Sequence, residues 1–327
     1  MRNTIKVAAA AASASLALAA CSSGAPSSNS TGSAAGNDNK NIAFVQGVAG
    51  DEFYISMECG IKEKAAELGY TVKTQGPQKF DPTLQKPIVD AVTASKPAAL
   101  LVAPTDVQAM QAPLQQAAQA GIKIVLVDTT VNDPSFAVSQ ISSDNVGGGA
   151  AAFDAIKAAK PGGGKVLVIS VDPGISTTDA RVKGFEDAAA KDTTFKYLGV
   201  QFSHNDPATA ANLVSAALQK DPDIVGIFAT NLFAAEGSAT GVRQAGGKDI
   251  TIVGFDAGPN QIKALEAGTV QALVAQQPAT IGSDGITQAD AALKGGTVEP
   301  MIQTGFSIIT KENLAGEGGA AAYKSSC

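Results

Sequence analysis

Histidine occurs once in this chain, at His204, cysteine three times, and lysine plus arginine number 24 against 30 for aspartate plus glutamate. A single imidazole excludes a multi-histidine metal centre, and with Cys59 inside a helical pattern no ordinary zinc site can be assembled. His204 is also the sole candidate general base for a nucleophile, and no G-x-S-x-G elbow accompanies it. A formal net charge of −6 leaves no basic stripe of the kind that nucleic acid or an anionic membrane surface requires. After the first twenty residues no apolar run is long enough to cross a bilayer.

What is present begins at the N-terminus. Two positive charges in Met1-Arg2-Asn3-Thr4-Ile5-Lys6 precede a short Ala/Leu/Val-rich run that closes on Leu18-Ala19-Ala20-Cys21. This order predicts a lipoprotein signal peptide over residues 1–20, with acylation of Cys21 after cleavage. Two or more acyl chains suffice for stable anchoring. The expected location is the extracytoplasmic face of a bacterial cell membrane, held there by the lipid anchor alone. Residues 21–40 are Ser, Gly, Ala, Asn and Pro with almost no large apolar side chain, and read as a flexible tether. In an oxidising compartment Cys59 and Cys327 become a candidate disulfide pair, which their spacing leaves open.

From Asn41 onward, short apolar or β-branched runs alternate with amphipathic helical patterns. Strands are expected at 42–46, 98–102, 122–127, 165–170, 224–229, 250–255 and 270–275, with weaker ones at 70–74, 137–141, 195–201 and 306–310. Their nearly continuous apolar character marks strands covered on both faces. Tyr54, Met57, Ile61, Ala65 and Leu68 recur at three- and four-residue steps, and Gly69 ends that helix. Pro113, Pro207, Pro259 and Pro278 read as first helical positions. A β-then-α order demands parallel sheets with right-handed crossovers, and a chain of this length exceeds one core, so the fold class is α/β with two doubly wound lobes.

Ligands of open parallel sheets bind beyond the carboxyl ends of the strands. Those ends carry Asp51, Asp128, Asp172, Asn231, Asp256 and Gln276, with Arg181 read as opening the helix after Asp172. Carboxylates, amides and a guanidinium together suit vicinal hydroxyls. Phe53, Tyr54, Phe202, Phe233 and Phe255 lie near the same ends and are candidates to pack on the apolar face of a sugar. A strand-end Asp is often only a helix cap, so the weight lies in the recurrence across both halves. Pro161-Gly162-Gly163-Gly164-Lys165 precedes a strand and is a turn rather than a phosphate loop, while Gly147-Gly148-Gly149 after Asp144 suits close backbone packing.

The chain resembles the periplasmic sugar-binding proteins of the ribose-binding class that serve ABC importers. The likeness runs from about Ile42 to Thr310 and rests on Gly50-Asp51-Glu52-Phe53-Tyr54, Ala103-Pro104-Thr105-Asp106, Val127-Asp128, Ile141-Ser142-Ser143-Asp144-Asn145, Arg181-Val182-Lys183-Gly184-Phe185, Phe228-Ala229-Thr230-Asn231, Val253-Gly254-Phe255-Asp256 and Ala275-Gln276-Gln277-Pro278. It implies the type I periplasmic binding protein fold, two lobes joined by a three-strand hinge near 142–145, 276–277 and 303–304. The N-terminal lobe is then 41–143 plus 277–303, and the C-terminal lobe 144–276 plus 304–327. The implied ligand-binding residues are Asp128, Arg181, Asn231, Asp256 and Gln276, with Asp51, Phe53 and Tyr54 after the first strand.

Thr129, Ala103, Leu232 and Asp51 depart from the family's frequent residues and argue against ribose itself. Asp51, Asp128 and Asp256 facing only Arg181 would leave a formal surplus of two negative charges, which disfavours sugar phosphates and acids. The expected role is therefore capture of a small neutral sugar or polyol and its delivery by hinge closure to ABC permease subunits, by a monomer that needs no cofactor and is not an enzyme. A cationic ligand is the lesser reading. The competing readings are a secreted glycoside-processing enzyme and a sugar sensor for a chemoreceptor or histidine kinase; a repressor effector domain is disfavoured by export and by the lack of a helix-turn-helix.

Overall fold

The computed structural model describes residues 39–247 and 249–327, so the expected signal peptide, Cys21 and nearly all of the 21–40 tether lie outside the described residues. Two six-stranded sheets carry the fold. The first contains β1 (Asn41–Val45), β2 (Thr71–Gln75), β3 (Ala99–Val102), β4 (Lys123–Val127), β5 (Ser139–Ser143) and the late strand β11 (Met301–Thr304), in the order β2-β1-β3-β4-β5-β11. The second contains β6 (Gly164–Ser170), β7 (Phe195–Phe202), β8 (Ile224–Ala229), β9 (Thr251–Phe255), β10 (Ala272–Ala275) and β12 (Ser307–Thr310), in the order β7-β6-β8-β9-β10-β12. Each sheet thus repeats the same winding, and every pairing is parallel except β10 with β12.

Alternate strand residues explain the two helical layers. In the first sheet Ala43, Val45, Leu100 and Val102 face α2 (Pro82–Ser95) and α3 (Gln111–Gln119), while Ile42, Phe44, Leu101 and Val125 face α1 (Glu52–Leu68) and α9 (Pro278–Leu293). In the second, Val166, Val168, Phe228 and Val253 meet α4 (Asn145–Ala159) and α5 (Ser176–Ala189), and Leu167, Ile169, Ile227 and Ile252 meet α6 (Pro207–Lys220) and α7 (Leu232–Gln244). Both faces are covered, which is why these strands read as continuous apolar runs. The remaining short helices are α8 (Pro259–Glu266) and α10 (Glu317–Ala320). No helix among the described residues is long and apolar enough to cross a membrane.

The chain passes between the sheets at three places: from β5 into α4, from β10 into α9, and from β11 into β12. The crossings are bonded to one another. Asp144 N donates to the Thr304 carbonyl at 2.9 Å, and Ser143 Oγ donates to Gln276 Oε1 at 2.7 Å. Elsewhere the lobes meet where Val107 N donates to the Gly174 carbonyl at 3.0 Å and Thr130 N donates to Ser176 Oγ at 2.9 Å.

Three sequence expectations are corrected. Strand β11 went unread because Met301-Ile302-Gln303-Thr304 is a four-residue edge strand with little apolar content. Helix α3 starts at Gln111, so Pro113 is its third residue, where the missing N–H still costs nothing. Arg181 does not open α5, which begins at Ser176; it lies in the second turn and reaches back to the cleft. Cys59 of α1 and Cys327 are joined in a disulfide with Cα atoms 5.3 Å apart.

Candidate functional site

One pocket, partly open to solvent, lies between the carboxyl ends of the two sheets. All eight residues expected there, Asp51, Phe53, Tyr54, Asp128, Arg181, Asn231, Asp256 and Gln276, line it. Asp128 follows β4 and Asp256 follows β9, the fourth strand of each sheet's own sequence, and both take left-handed backbone at φ 64° and 78°. Aspartate tolerates that region better than most residues, yet at a cost of about 1–3 kcal/mol that the surrounding structure must offset.

Each acid is held by named donors. Tyr54 Oη donates to Asp128 Oδ2 at 2.8 Å. Asp256 accepts Gln276 Nε2 at 2.7 Å and Tyr323 Oη at 3.1 Å on Oδ1, and Leu232 N at 3.1 Å on Oδ2. Asp51 and Asn231 also cap helices: Asp51 Oδ1 accepts Phe53 N at 2.8 Å, and Asn231 Oδ1 accepts Ala234 N at 3.1 Å. Arg181 is 3% exposed, donates through Nε to Asn145 Oδ1 and through Nη1 to the Thr230 carbonyl, both at 2.8 Å, and lies 3.8 Å above the Phe255 ring. Phe53 meets the Tyr54 ring edge-on at 5.1 Å, giving the pocket one apolar wall.

The aromatic reading needs correction. Phe202, Phe233 and Phe255 are not part of the lining; Phe255 is core beneath Arg181, and Phe80 joins Phe53 and Tyr54 instead. Asp172 also lies outside the pocket and pairs with the exposed His204 at 2.6 Å. Sequence reasoning passed over Asn205, whose Oδ1 accepts Asn231 Nδ2 at 2.6 Å, and Thr177 and Thr178 in the first turn of α5. A signal for Asn205 was present in the polar run His204-Asn205-Asp206 after a strand: His204 and Asn205 both take positive φ, a conformation asparagine favours. Among the described residues no group of acidic, histidine and cysteine side chains has the arrangement to hold a metal ion.

The charge expected in the cleft is too large. Burial raises the Asp51 carboxyl to about 8, with the Asp256 charge adding to the effect and the Phe53 N–H opposing it. Burial raises Asp128 to about 6, against the Arg181 charge and the Tyr54 hydroxyl. At neutral pH Asp51 is therefore mostly protonated, a donor as well as an acceptor, and the surplus of two negative charges is relieved. Tyr54 is pushed well above its ordinary value by burial and the Asp128 charge, so its phenol stays protonated. Both acids bind protons more tightly folded than unfolded, so their stabilising effect is complete below the unfolded value of 3.8. It is lost as pH rises through about 6 for Asp128 and about 8 for Asp51. The ligand-free protein should melt at a lower temperature at about pH 8 than at about pH 5, and Asp51→Asn should remove the upper part of that loss; calorimetry finding the two variants parallel across the range would refute the assignment.

Known proteins place this geometry. A family model described as periplasmic binding protein domain matches residues 42–297. The ribose import binding protein of Escherichia coli strain K12 is 31% identical over 284 residues, covering 87% of this chain and 95% of its own. The D-allose-binding periplasmic protein of the same organism is 30% identical over 260 residues, 76% of this chain and 83% of that one. Among solved structures, an ABC transporter solute-binding protein from Agrobacterium vitis, bound with α-D-tagatopyranose, is 40% identical with a TM-score of 0.85, covering 87% of this chain and 99% of its own.

Proposed function

This chain belongs to the periplasmic binding protein family, as the extracytoplasmic substrate-binding component of an ABC sugar importer rather than an enzyme, and from that premise we propose that it captures one small neutral sugar or polyol through Asp51, Phe53, Tyr54, Asp128, Arg181, Asn231, Asp256 and Gln276. The observation that carries this reading is the shared pocket itself: acids at matching strand ends of two separate sheets line one cavity, which Arg181 lines too, its charge acting on Asp128. Carboxylate and amide acceptors take hydroxyl protons, Arg181 and Gln276 donate to ring or hydroxyl oxygens, and Phe53 with Tyr54 covers an apolar ring face. Even with Asp51 neutral the pocket is acidic, which counts against anionic sugars.

Binding works by closure. The N-terminal lobe (41–143 plus 277–303) carries Asp51, Phe53, Tyr54 and Asp128; the C-terminal lobe (144–276 plus 304–327) carries Arg181, Asn231 and Asp256, with Gln276 at a crossing. Only the closed form offers both sets at once, so a ligand that touches both stabilises it by its differential affinity. The closed pair of lobes is then the shape for the permease subunits to recognise. The protein acts as a monomer, tethered through acylated Cys21.

A thermal-shift panel tests this. D-tagatose, D-ribose, D-allose, myo-inositol, ribitol and D-galacturonate are added in turn, and at least one neutral member should raise the melting temperature by mass action, by an amount equivalent to about 2.7 kcal/mol at a hundredfold excess over its Kd. A flat response to every neutral member, or tightest binding of the uronate, would reject the proposal.

A further inference from the structure

The C-terminal tail makes a fourth passage between the lobes, separate from the three hinge crossings. After α10, Tyr323 N donates to the Ala257 carbonyl at 2.9 Å, fixing the tail to the second lobe. One residue later Lys324 N donates to Ser56 Oγ of α1 at 2.7 Å, and the chain ends at Cys327, bonded to Cys59 of the same helix. Between these attachments the Tyr323 side chain is 6% exposed, with its ring 5.9 Å from that of Phe53. Its hydroxyl accepts Gln276 N at 2.9 Å and donates to Asp256 Oδ1 at 3.1 Å. Burial first, then the Asp256 charge, keeps that phenol protonated and hence a donor.

We propose that Tyr323 is a positioning residue for the ligand site and that the Cys59–Cys327 disulfide turns the tail into a covalent strap limiting how far the lobes open. The first half follows from the relay: one hydroxyl orders both the backbone of Gln276, at a hinge crossing, and the carboxylate of Asp256, yet Tyr323 itself does not line the cavity. Without it the Gln276 N–H is left unpaired in a buried place and Asp256 loses a donor. The second half follows from length. Four residues from Tyr323 to Cys327 span at most about 14 Å when fully extended, and the disulfide adds 5.3 Å between Cα atoms, so Cys59 of α1 cannot move beyond about 19 Å from Tyr323 unless Tyr323 leaves its bonds. An opening so bounded keeps more of the ligand-free population near the closed form, and apparent affinity scales with that fraction.

The affinity arm rests on the sugar reading above; the ligand-free arm does not. With D-tagatose as the calorimetric probe, Tyr323→Phe, which keeps the ring on Phe53, should bind about ten- to a hundredfold more weakly. The Gln276 amide should exchange its hydrogen faster in ligand-free protein. Tyr323→Phe combined with Asp256→Asn should lose at least about threefold less than the product of the single losses, a coupling that a merely structural tyrosine would not produce. The pair Cys59→Ser with Cys327→Ser should show a larger radius of gyration by small-angle scattering without ligand, and severalfold weaker binding. Unchanged affinity and unchanged Gln276 exchange in Tyr323→Phe, or multiplicative losses, would overturn the positioning role; an unchanged radius of gyration in the serine pair would overturn the strap. If wild-type protein ignores D-tagatose and the other sugars, the sugar reading fails, while amide exchange and scattering still decide the tail's role.

Discussion

Arg181→Ala should weaken ligand binding by about 150- to 5,000-fold, corresponding to the roughly 3–5 kcal/mol that follows removal of one partner from a buried charge set. The side chain is 3% exposed and does three things at once: it bonds Asn145 at the start of α4, bonds the Thr230 carbonyl after β8, and covers the Phe255 ring. It also supplies the positive charge that holds Asp128 down against the effect of burial. Without it Asp128 faces Asp256 with no opposing charge, and the Asp128 carboxyl takes up its proton at higher pH. The loss should therefore be smaller at about pH 5, where protonation relieves the repulsion, than at about pH 8. Lysine should not restore binding, because a point charge cannot fork between Asn145 and Thr230 while lying flat on Phe255. Titration calorimetry at the two pH values reads both effects; an alanine variant that binds within tenfold of wild type would remove Arg181 from the centre of the site.

The second large effect concerns the helices that carry this arginine. A Cβ added at Gly149 of α4 would lie 2.0 Å from the carbonyl oxygen of Arg181, and one at Gly184 of α5 would lie 2.0 Å from that of Val146. The two helices are thus in backbone contact from both sides, with no flexible side-chain end to give way. Gly149→Ala gains at most about 1 kcal/mol of helix propensity and meets an overpacking cost of about 1–3 kcal/mol or more. Here the struck atom is backbone, so the cost should prevail by about 2 kcal/mol, and the melting temperature should fall by about 4–8 °C on the scaling for domains near 150–250 residues. Ligand affinity should fall with it, since the displaced segment bears Arg181. Gly162→Ala is the control: nothing lies within 4 Å of a Cβ built there. Differential scanning calorimetry giving Gly149→Ala the stability of Gly162→Ala would show that α4 and α5 can part at little cost.

Much of this was legible in the residues. The covered strands were readable because apolar runs such as Leu100 to Val102 and Ile224 to Ala229 alternate only between two buried layers. The pocket was readable because a parallel sheet concentrates its ligand groups at one edge, where Asp128, Asn231, Asp256 and Gln276 stand as polar breaks after those runs. What escaped depends on distance along the chain. Tyr323 reaches Asp256 and Gln276 from 67 and 47 residues away, and no local pattern encodes that contact. Phe255 looked like a platform because its position beneath Arg181 depends on how α5 packs, not on strand alternation. Cys59 and Cys327 are 268 residues apart, a separation from which pairing cannot be inferred. The burial that raises Asp51 likewise belongs to the assembled lobes.

The left-handed backbone at Asp128 and Asp256 constrains how this protein can change its diet. Aspartate, asparagine and glycine hold that geometry at modest cost, whereas branched or bulky residues do not. Selection for a new sugar therefore has almost no vocabulary at these two posts, and glycine would delete the acceptor altogether. Adaptation is channelled to their neighbours, Thr177, Thr178 and Phe80, where ordinary side chains can be exchanged without disturbing the main chain, so the grip can be retuned while its two fixed points stay as they are.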